Sequence, residues 1–113
     1  MPAVSPDHDA ARNVGRLMRE QGLSASGWGN GPGERYAAHE HGYDKVIAVE
    51  RGTIEFGLGG TGQTIELDAG DRLDLPAGTV HDALVGMTGV SCLEAHLPAG
   101  SLESVTKRPS GTW

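Results

Sequence analysis

The chain has 113 residues, which is the size of one domain, and it carries a formal net charge of −6. This acidic balance argues against nucleic-acid and anionic-membrane partners, because both need a basic surface. No apolar run approaches the length of a membrane span, and the polar first twenty residues do not resemble a signal peptide, so we expect a cytoplasmic protein.

The first segment, residues 1–22, predicts the one good helix of the chain, from residue 5 to residue 22. Ser5 is a suitable N-cap, Pro6 suits the first turn, and Gly22 suits the C-terminal end. One side of this helix carries Ala10, Val14, Leu17, Met18 and Gln21. We expect this stripe to pack on the domain or on a partner subunit.

After Gly22 the apolar period changes from that of a helix to two, which is typical of strands. The predicted strands are LSASGW, RYAAHEH, KVIAVE, TIEFGL, TIEL, RLDL, TVHDALV and VSCLEAHL. About eight short strands between glycine-rich turns predict a β-sandwich or β-barrel over residues 23–98. Residues 99–113 are polar and aperiodic, which predicts a loose C-terminal tail unless Trp113 docks on the domain.

Two histidines in the sequence HEH, His39 and His41, have the spacing of a metal site. Side chains at i and i+2 of a strand share one face and lie roughly 6.5–7 Å apart along the chain, so both imidazoles can reach one ion. His81 follows the turn in LPAGTV and is the best candidate for a third ligand. Three histidines leave coordination positions open, as a catalytic site requires. The alternative is that these are ordinary surface or core histidines.

The residues around these histidines resemble the two motifs of the cupins. GERYAAHEHGYDKVIAVERG, residues 33–52, has glycine, five residues, His39, one residue, His41 and a closing glycine. GDRLDLPAGTVH, residues 70–81, has glycine, five residues, proline, one residue, glycine, two residues and His81. The resemblance to small single-domain cupins implies an all-β double-stranded β-helix, or jelly-roll, barrel behind one short N-terminal helix. It also implies a divalent metal ion (Fe, Mn, Ni, Cu or Zn) held inside the barrel by His39, His41 and His81.

The sequence departs from the cupin pattern at two positions. Lys45 stands where the first motif has its acidic ligand, and Val85 stands where an asparagine is expected in the second. By strand parity Lys45 faces the same side as His41. An ammonium about 4 Å from a divalent ion would cost about 8 kcal/mol at an effective dielectric constant of 20. Three alternatives follow: Lys45 points away, it is neutralised or deprotonated, or no metal binds.

Glu94 is a candidate counter-charge for Lys45. If GMTG, residues 86–89, is a hairpin loop, His81 pairs with Glu94 and the two side chains share a face. Glu94 would then be a fourth ligand, a partner of a ligand histidine, or the counter-ion of Lys45. The alternative is an exposed strand residue.

These assignments predict a site and leave its chemistry open. Lys45 and Glu94 are the candidate catalytic residues, because Lys45 can attract an anionic group or serve as acid or base. The candidate pocket residues are Trp28, Tyr36 and His96, although Trp28 suits a plain core position equally well. By strand parity Asp44 faces outward, and Cys92 is expected to be a buried small hydrophobe.

Three functions are compatible with the sequence. The first is a metal-dependent oxygenase or isomerase acting on a small organic molecule, for which an anionic substrate is one candidate. The second is a non-catalytic sensor or binding cupin for a small-molecule ligand, and the third is a metal-free barrel in which Lys45 replaces the ion. The resemblance also favours a homodimer, formed through the helix or an edge strand, with no nucleic-acid or membrane partner.

Overall fold

A computed structural model describes residues 6–113, with side chains from residue 13 onward. Within that range the chain forms one helix and seven strands, and every strand pair is antiparallel. The elements are α1 (Pro6–Glu20), β1 (Ser26–Asn30), β2 (Arg35–His39), β3 (Asp44–Leu58), β4 (Thr64–Leu67), β5 (Arg72–Leu75), β6 (His81–Leu97) and β7 (Thr106–Arg108). Among the described residues, no helix has the length and apolarity needed to cross a membrane.

Helix α1 packs on the domain itself, which is the first of the two alternatives predicted for it. Val14 and Met18 are buried in a cluster with Val46, Ala48 and Ala95 of the sheet. Gly22 ends the helix with a φ of 73°. The amide nitrogens of Gly22 and Leu23 then donate to the carbonyl oxygens of Arg19 and Met18 at 3.0 and 2.9 Å, which satisfies two free carbonyls at this end. The predicted cap Ser5 and the side chain of Ala10 lie outside the described residues.

The barrel is organised around two long strands, β3 and β6, which pair along almost their whole length. The sequence predicts each of them as two short strands, and this prediction is wrong. Register shifts near 49–54 bend β3, and Gly52 has a φ of 80°. A Cβ at Gly52 would clash with the carbonyl oxygen of Gly89, so only glycine allows the close approach of the two bent strands.

The predicted hairpin at residues 86–89 does not form, because β6 continues through them. Val85 pairs with Ile54 and Glu94 pairs with Ile47, both on β3, so His81 and Glu94 are not cross-strand partners. The reason is that β3 pairs with β6 on both sides of the bend. The backbone groups of β6 are therefore hydrogen-bonded without a hairpin within β6.

Alternation along the strands separates two cores on the two faces of β3. Val46 and Ala48 contact the helix, whereas Ile47 and Val49 face the interior of the barrel. The interior cluster consists of Ile47, Val49, Ile54, Phe56, Leu67, Leu73, Leu75, Ala83, Val85, Val90 and Cys92. Lys45 shares the parity of Ile47, which places it on the interior side.

Residues 99–113 are not a loose tail. Strand β7 pairs with β5, with Asp74 opposite Thr106 and Arg72 opposite Arg108. The indole Nε1–H of Trp113 donates to the carbonyl oxygen of Gly70 at 3.1 Å, so Trp113 docks on the domain. A strand of only three residues is too short to leave a period in the sequence, which is why the pattern did not predict it.

Asp44 lies on the outer side of β3, as its parity predicts, but the C-terminal segment covers it and leaves it 1% exposed. Its carboxylate accepts hydrogen bonds from the amide nitrogens of Ala77 at 2.8 Å, Leu102 at 2.6 Å and Gly100 at 3.4 Å. These donors, that of Ala77 first, hold the pKa of Asp44 below its ordinary value, because they stabilise the ionised form. Asp44 therefore attaches the C-terminal segment to the barrel.

Candidate functional site

The structure brings together the three histidines of the two motifs. His39 is the last residue of β2, His81 is the first residue of β6, and these two residues are direct cross-strand partners. His41 follows β2 in the loop. Their candidate ligand atoms all lie within 4.8 Å of one another. One ion can therefore contact all three rings after small side-chain adjustments.

Two of the three rings are oriented by backbone carbonyls. Nδ1 of His39 lies 2.7 Å from the carbonyl oxygen of Ala37, and Nδ1 of His81 lies 2.8 Å from that of Thr79. A carbonyl only accepts, so each Nδ1 carries the hydrogen and each Nε2 keeps a free lone pair. Such a bond to the second ring nitrogen is the usual way in which a protein orients a metal-ligating histidine.

His41 provides a second, independent indication of a metal site. Its Nε2 is buried and has no hydrogen-bond partner among the described residues. Leaving a buried polar atom unpaired costs about 1–3 kcal/mol, so such atoms are rare. A divalent ion between the three rings would satisfy this nitrogen, and imidazole suits zinc, copper, iron and nickel. The residues present therefore fit a metal ion.

The pKa values of His41 and His81 also suit metal binding. Burial is the main cause that lowers the pKa of His41 and His81. The positive charge of Lys45 lowers both pKa values further. A lowered pKa keeps an imidazole neutral near pH 7, which is the form that binds metal.

Two of the three histidines, His39 and His81, border a cavity of about 400 Å³. The candidate residues Trp28, Tyr36, Lys45 and Glu94 all line it, but His96 does not. The side chain of His96 is 48% exposed and lies outside the cavity lining, so His96 contacts the cavity only through Glu94. The full lining is Ser26, Gly27, Trp28, Tyr36, His39, Lys45, Ile47, Ile54, Phe56, His81, Ala83 and Glu94.

Glu94 lies between Lys45 and His96. Its Oε1 is 3.3 Å from Lys45 Nζ, and its Oε2 is 2.6 Å from His96 Nε2. Burial alone would raise the pKa of Glu94, but the hydrogen bond from His96 and the charge of Lys45 outweigh it and lower the pKa. Of the three roles considered for Glu94, this geometry favours the counter-ion of Lys45. Glu94 is not in the cluster of potential ligands formed by the histidines.

Trp28 and Tyr36 form one wall of the cavity. Their ring centroids lie 5.9 Å apart in an edge-to-face arrangement. The indole Nε1 of Trp28 is buried and has no acceptor among the described residues. The cavity therefore has an aromatic wall that carries an unpaired donor.

Tyr43 is a residue of the site that the sequence analysis did not single out. Its ring stacks on His41 with centroids 4.9 Å apart and on His96 with centroids 4.1 Å apart. Tyr43 lies between the predicted strands RYAAHEH and KVIAVE, and the sequence pattern predicts no role for it. The signal was available in the continued i, i+2 alternation from His39 through His41 and Tyr43 to Lys45.

Comparisons with known proteins establish the fold. No family model matches the sequence, and no curated protein matches it. Among solved structures, *Bacillus subtilis* oxalate decarboxylase is similar with a TM-score of 0.58 and 19% identity, over 76% of this chain and 24% of that protein. This chain thus corresponds to about a quarter of the length of that enzyme.

Two further similar structures are closer to this chain in length. An uncharacterised *Klebsiella pneumoniae* protein with a double-stranded β-helix domain has a TM-score of 0.58 and 24% identity, over 74% of each chain. A conserved *Streptococcus pyogenes* protein of unknown function has a TM-score of 0.57 and 18% identity, over 70% of this chain and 67% of that one. The chain therefore has the double-stranded β-helix fold of the cupins, as its motifs predict.

Proposed function

We propose that this protein is a metal-dependent cupin that binds one divalent ion through His39, His41 and His81 and binds a small organic molecule beside it. The observation that carries this proposal is the convergence of three imidazoles around the buried, unpaired Nε2 of His41. The Mn(II) centres of *Bacillus subtilis* oxalate decarboxylase, which has the same fold, support a metal in this kind of barrel.

The arrangement suits chemistry on an oxygen-containing ligand. A divalent ion with open coordination positions acts as a Lewis acid that polarises a bound carbonyl or carboxylate oxygen. Lys45 Nζ faces the same cavity and can donate a proton or a hydrogen bond to such a ligand. Trp28 and Tyr36 add an aromatic wall to the same cavity.

Metal stoichiometry tests the proposal directly. The wild type should hold one ion per chain after loading with Mn²⁺, Fe²⁺, Ni²⁺, Cu²⁺ or Zn²⁺, measured by mass spectrometry of the elements after removal of free metal. His41→Ala should lose the ion. Glu103→Ala is the control, because it removes an exposed side chain of the C-terminal segment outside the three-histidine cluster and should leave the stoichiometry unchanged. A wild type that retains no ion under any loading condition, or a His41→Ala variant that retains as much as wild type, refutes the proposal.

A metal-free binding barrel is the second candidate function. It is favoured by Lys45, a lining residue that stands where the cupin pattern has an acidic ligand and so removes one potential metal ligand. In that case the protein would bind its ligand equally well before and after treatment with a chelator. The homodimer and the cytoplasmic location stay predictions, and sedimentation at several protein concentrations would test the former.

A further inference from the structure

The charges that line the cavity do not balance a bound divalent ion. Three neutral imidazoles contribute no charge, and Lys45 and Glu94 cancel each other at 3.3 Å. Both oxygens of Glu94 are already engaged, one by Lys45 and one by His96. No other carboxylate belongs to the described cavity lining. The two positive charges of the ion would therefore remain uncompensated, which favours an anionic ligand.

The cavity also provides hydrogen-bond donors for the oxygens of an anion. Lys45 Nζ is a cationic donor on the cavity wall, with its side chain 13% exposed. Trp28 also lines the cavity, and its buried Nε1–H has no acceptor in the described chain, so a ligand oxygen that reaches it would satisfy it. A carboxylate accepts several hydrogen bonds and can also coordinate a metal, so it suits this combination.

Most of the remaining lining is apolar, which favours a ligand with an apolar body. Ile47, Ile54, Phe56 and Ala83 contribute to the wall, together with the ring of Tyr36. The volume of about 400 Å³ lies within the range of roughly 300–1,000 Å³ found for small-molecule sites. A compact dianion such as oxalate would leave most of this apolar surface without a partner.

We propose that this site binds a monocarboxylate with an aromatic or branched aliphatic body, its carboxylate near the metal, Lys45 and Trp28 and its body near Phe56 and Ile54. This inference rests on the proposed function, because the metal supplies two positive charges, of which a monocarboxylate balances one. The cavity lining contains both polar and apolar residues, and a monocarboxylate with an apolar body can contact both.

Calorimetric titration of the metal-loaded protein tests the ligand class. Phenylacetate is the probe, 2-phenylethanol is its neutral analogue, and oxalate is the compact dianion. Phenylacetate should bind at least about tenfold more tightly than either, since it alone combines a carboxylate for the metal and Lys45 with a ring for the apolar wall. Equal or tighter binding of oxalate or 2-phenylethanol, or no binding of phenylacetate, overturns the inference.

A pair of tryptophan variants tests where the carboxylate binds. Trp28→Phe keeps an aromatic ring but removes the unpaired donor, and it should weaken phenylacetate binding about tenfold while metal content is unchanged. Trp113→Phe makes the same chemical change outside the cavity lining and should leave the affinity unchanged. An unchanged affinity in Trp28→Phe contradicts the assigned donor.

Metal analysis of each titrated sample distinguishes failure of the proposed function from failure of this inference. If the wild type contains no metal after loading, the proposed function is wrong. Loaded wild type that contains metal but does not prefer phenylacetate overturns this inference alone.

Discussion

Lys45 Nζ and Glu94 Oε1 lie 3.3 Å apart, and their side chains are only 13% and 15% exposed. The two residues are diagonal neighbours across β3 and β6, since Ile47 is opposite Glu94 and Lys45 is opposite His96. Of the three alternatives raised by a lysine beside a metal site, this geometry favours neutralisation by a partner. A neutral pair removes most of the repulsion that an isolated ammonium would exert on a divalent ion.

This pairing predicts opposite effects of two substitutions on metal affinity. Lys45→Glu should tighten metal binding about tenfold or more, because it replaces a cation with a carboxylate at the family's ligand position. Glu94→Gln should weaken metal binding by about tenfold, or ~1.4 kcal/mol, since the ammonium then repels the ion without a counter-charge. Competition with a chelator of known affinity measures both effects.

Arg51→Glu provides the control for net charge. It makes the same change of charge as Lys45→Glu on the same strand, but Arg51 is exposed. It should leave metal affinity nearly unchanged, because exposed charges are screened by solvent and salt. If Lys45→Glu and Glu94→Gln also leave the affinity unchanged, neither side chain interacts with the ion.

The sequence predicted the position of Glu94 in the cavity but not the path of the chain that brings it there. Interior residues of β6 occupy odd positions at His81 and Ala83 and even positions at Cys92 and Glu94. A change of parity indicates either a turn or a bend with a register shift, and one sequence pattern fits both. Only the partner strand β3 distinguishes them, and such long-range pairing is not visible in the local pattern of β6.

The three histidines were predictable because their spacing and flanking glycines are local features. The stack of Tyr43 on His41 follows from the same local alternation, but its stack on His96, a residue distant in the sequence, was not predictable from it. Strand β7 was missed for a similar reason, since its three residues are a strand only through their pairing with β5.

Asp44 predicts a specific dependence of stability on pH. Its folded pKa lies below that of the unfolded chain, so its contribution is fully present above the unfolded value of about 3.9 and is lost as the pH falls through the folded value. Asp44→Asn should therefore lower the free energy of unfolding at pH 7, and the difference from wild type should shrink in acid. Urea unfolding at pH 7 and at several acidic pH values measures this. Glu103→Gln, an exposed change in the same segment, should show no such pattern.

Cys92 should be chemically inert in the native protein. Its side chain is fully buried, and burial raises the pKa of its thiol to about 12. Relative to a free thiol with a pKa of about 8.5, the thiolate fraction at pH 8 falls by roughly three orders of magnitude. Iodoacetamide should label Cys92 in urea but not in buffer, as followed by intact mass. Rapid stoichiometric labelling in buffer would show that the barrel opens or that the thiol is exposed.

Trp113 should contribute substantially to stability, although the sequence alone left its position open. Its ring packs with the helix cluster and lies 5.4 Å from the Arg72 guanidinium, which in turn donates to Gln21 Oε1 after the helix. Because the ring is only partly buried, we expect Trp113→Ala to lower the free energy of unfolding by about 1–3 kcal/mol, less than for a fully buried tryptophan. For a domain near this size each kcal/mol lowers Tm by roughly 4–8 °C.

The matched variant Trp113→Phe keeps part of the aromatic packing. It loses the bond to Gly70 and the surface of the second ring, so it should cost about 1–2 kcal/mol, less than Trp113→Ala. Metal content should be unchanged in both variants, because the helix cluster and the cavity lie on opposite faces of β3. Thermal and urea unfolding measure the two losses. If Trp113→Ala unfolds at the same urea concentration as wild type, the C-terminal segment does not stabilise the domain. That result would contradict the packing of residues 99–113 on the barrel.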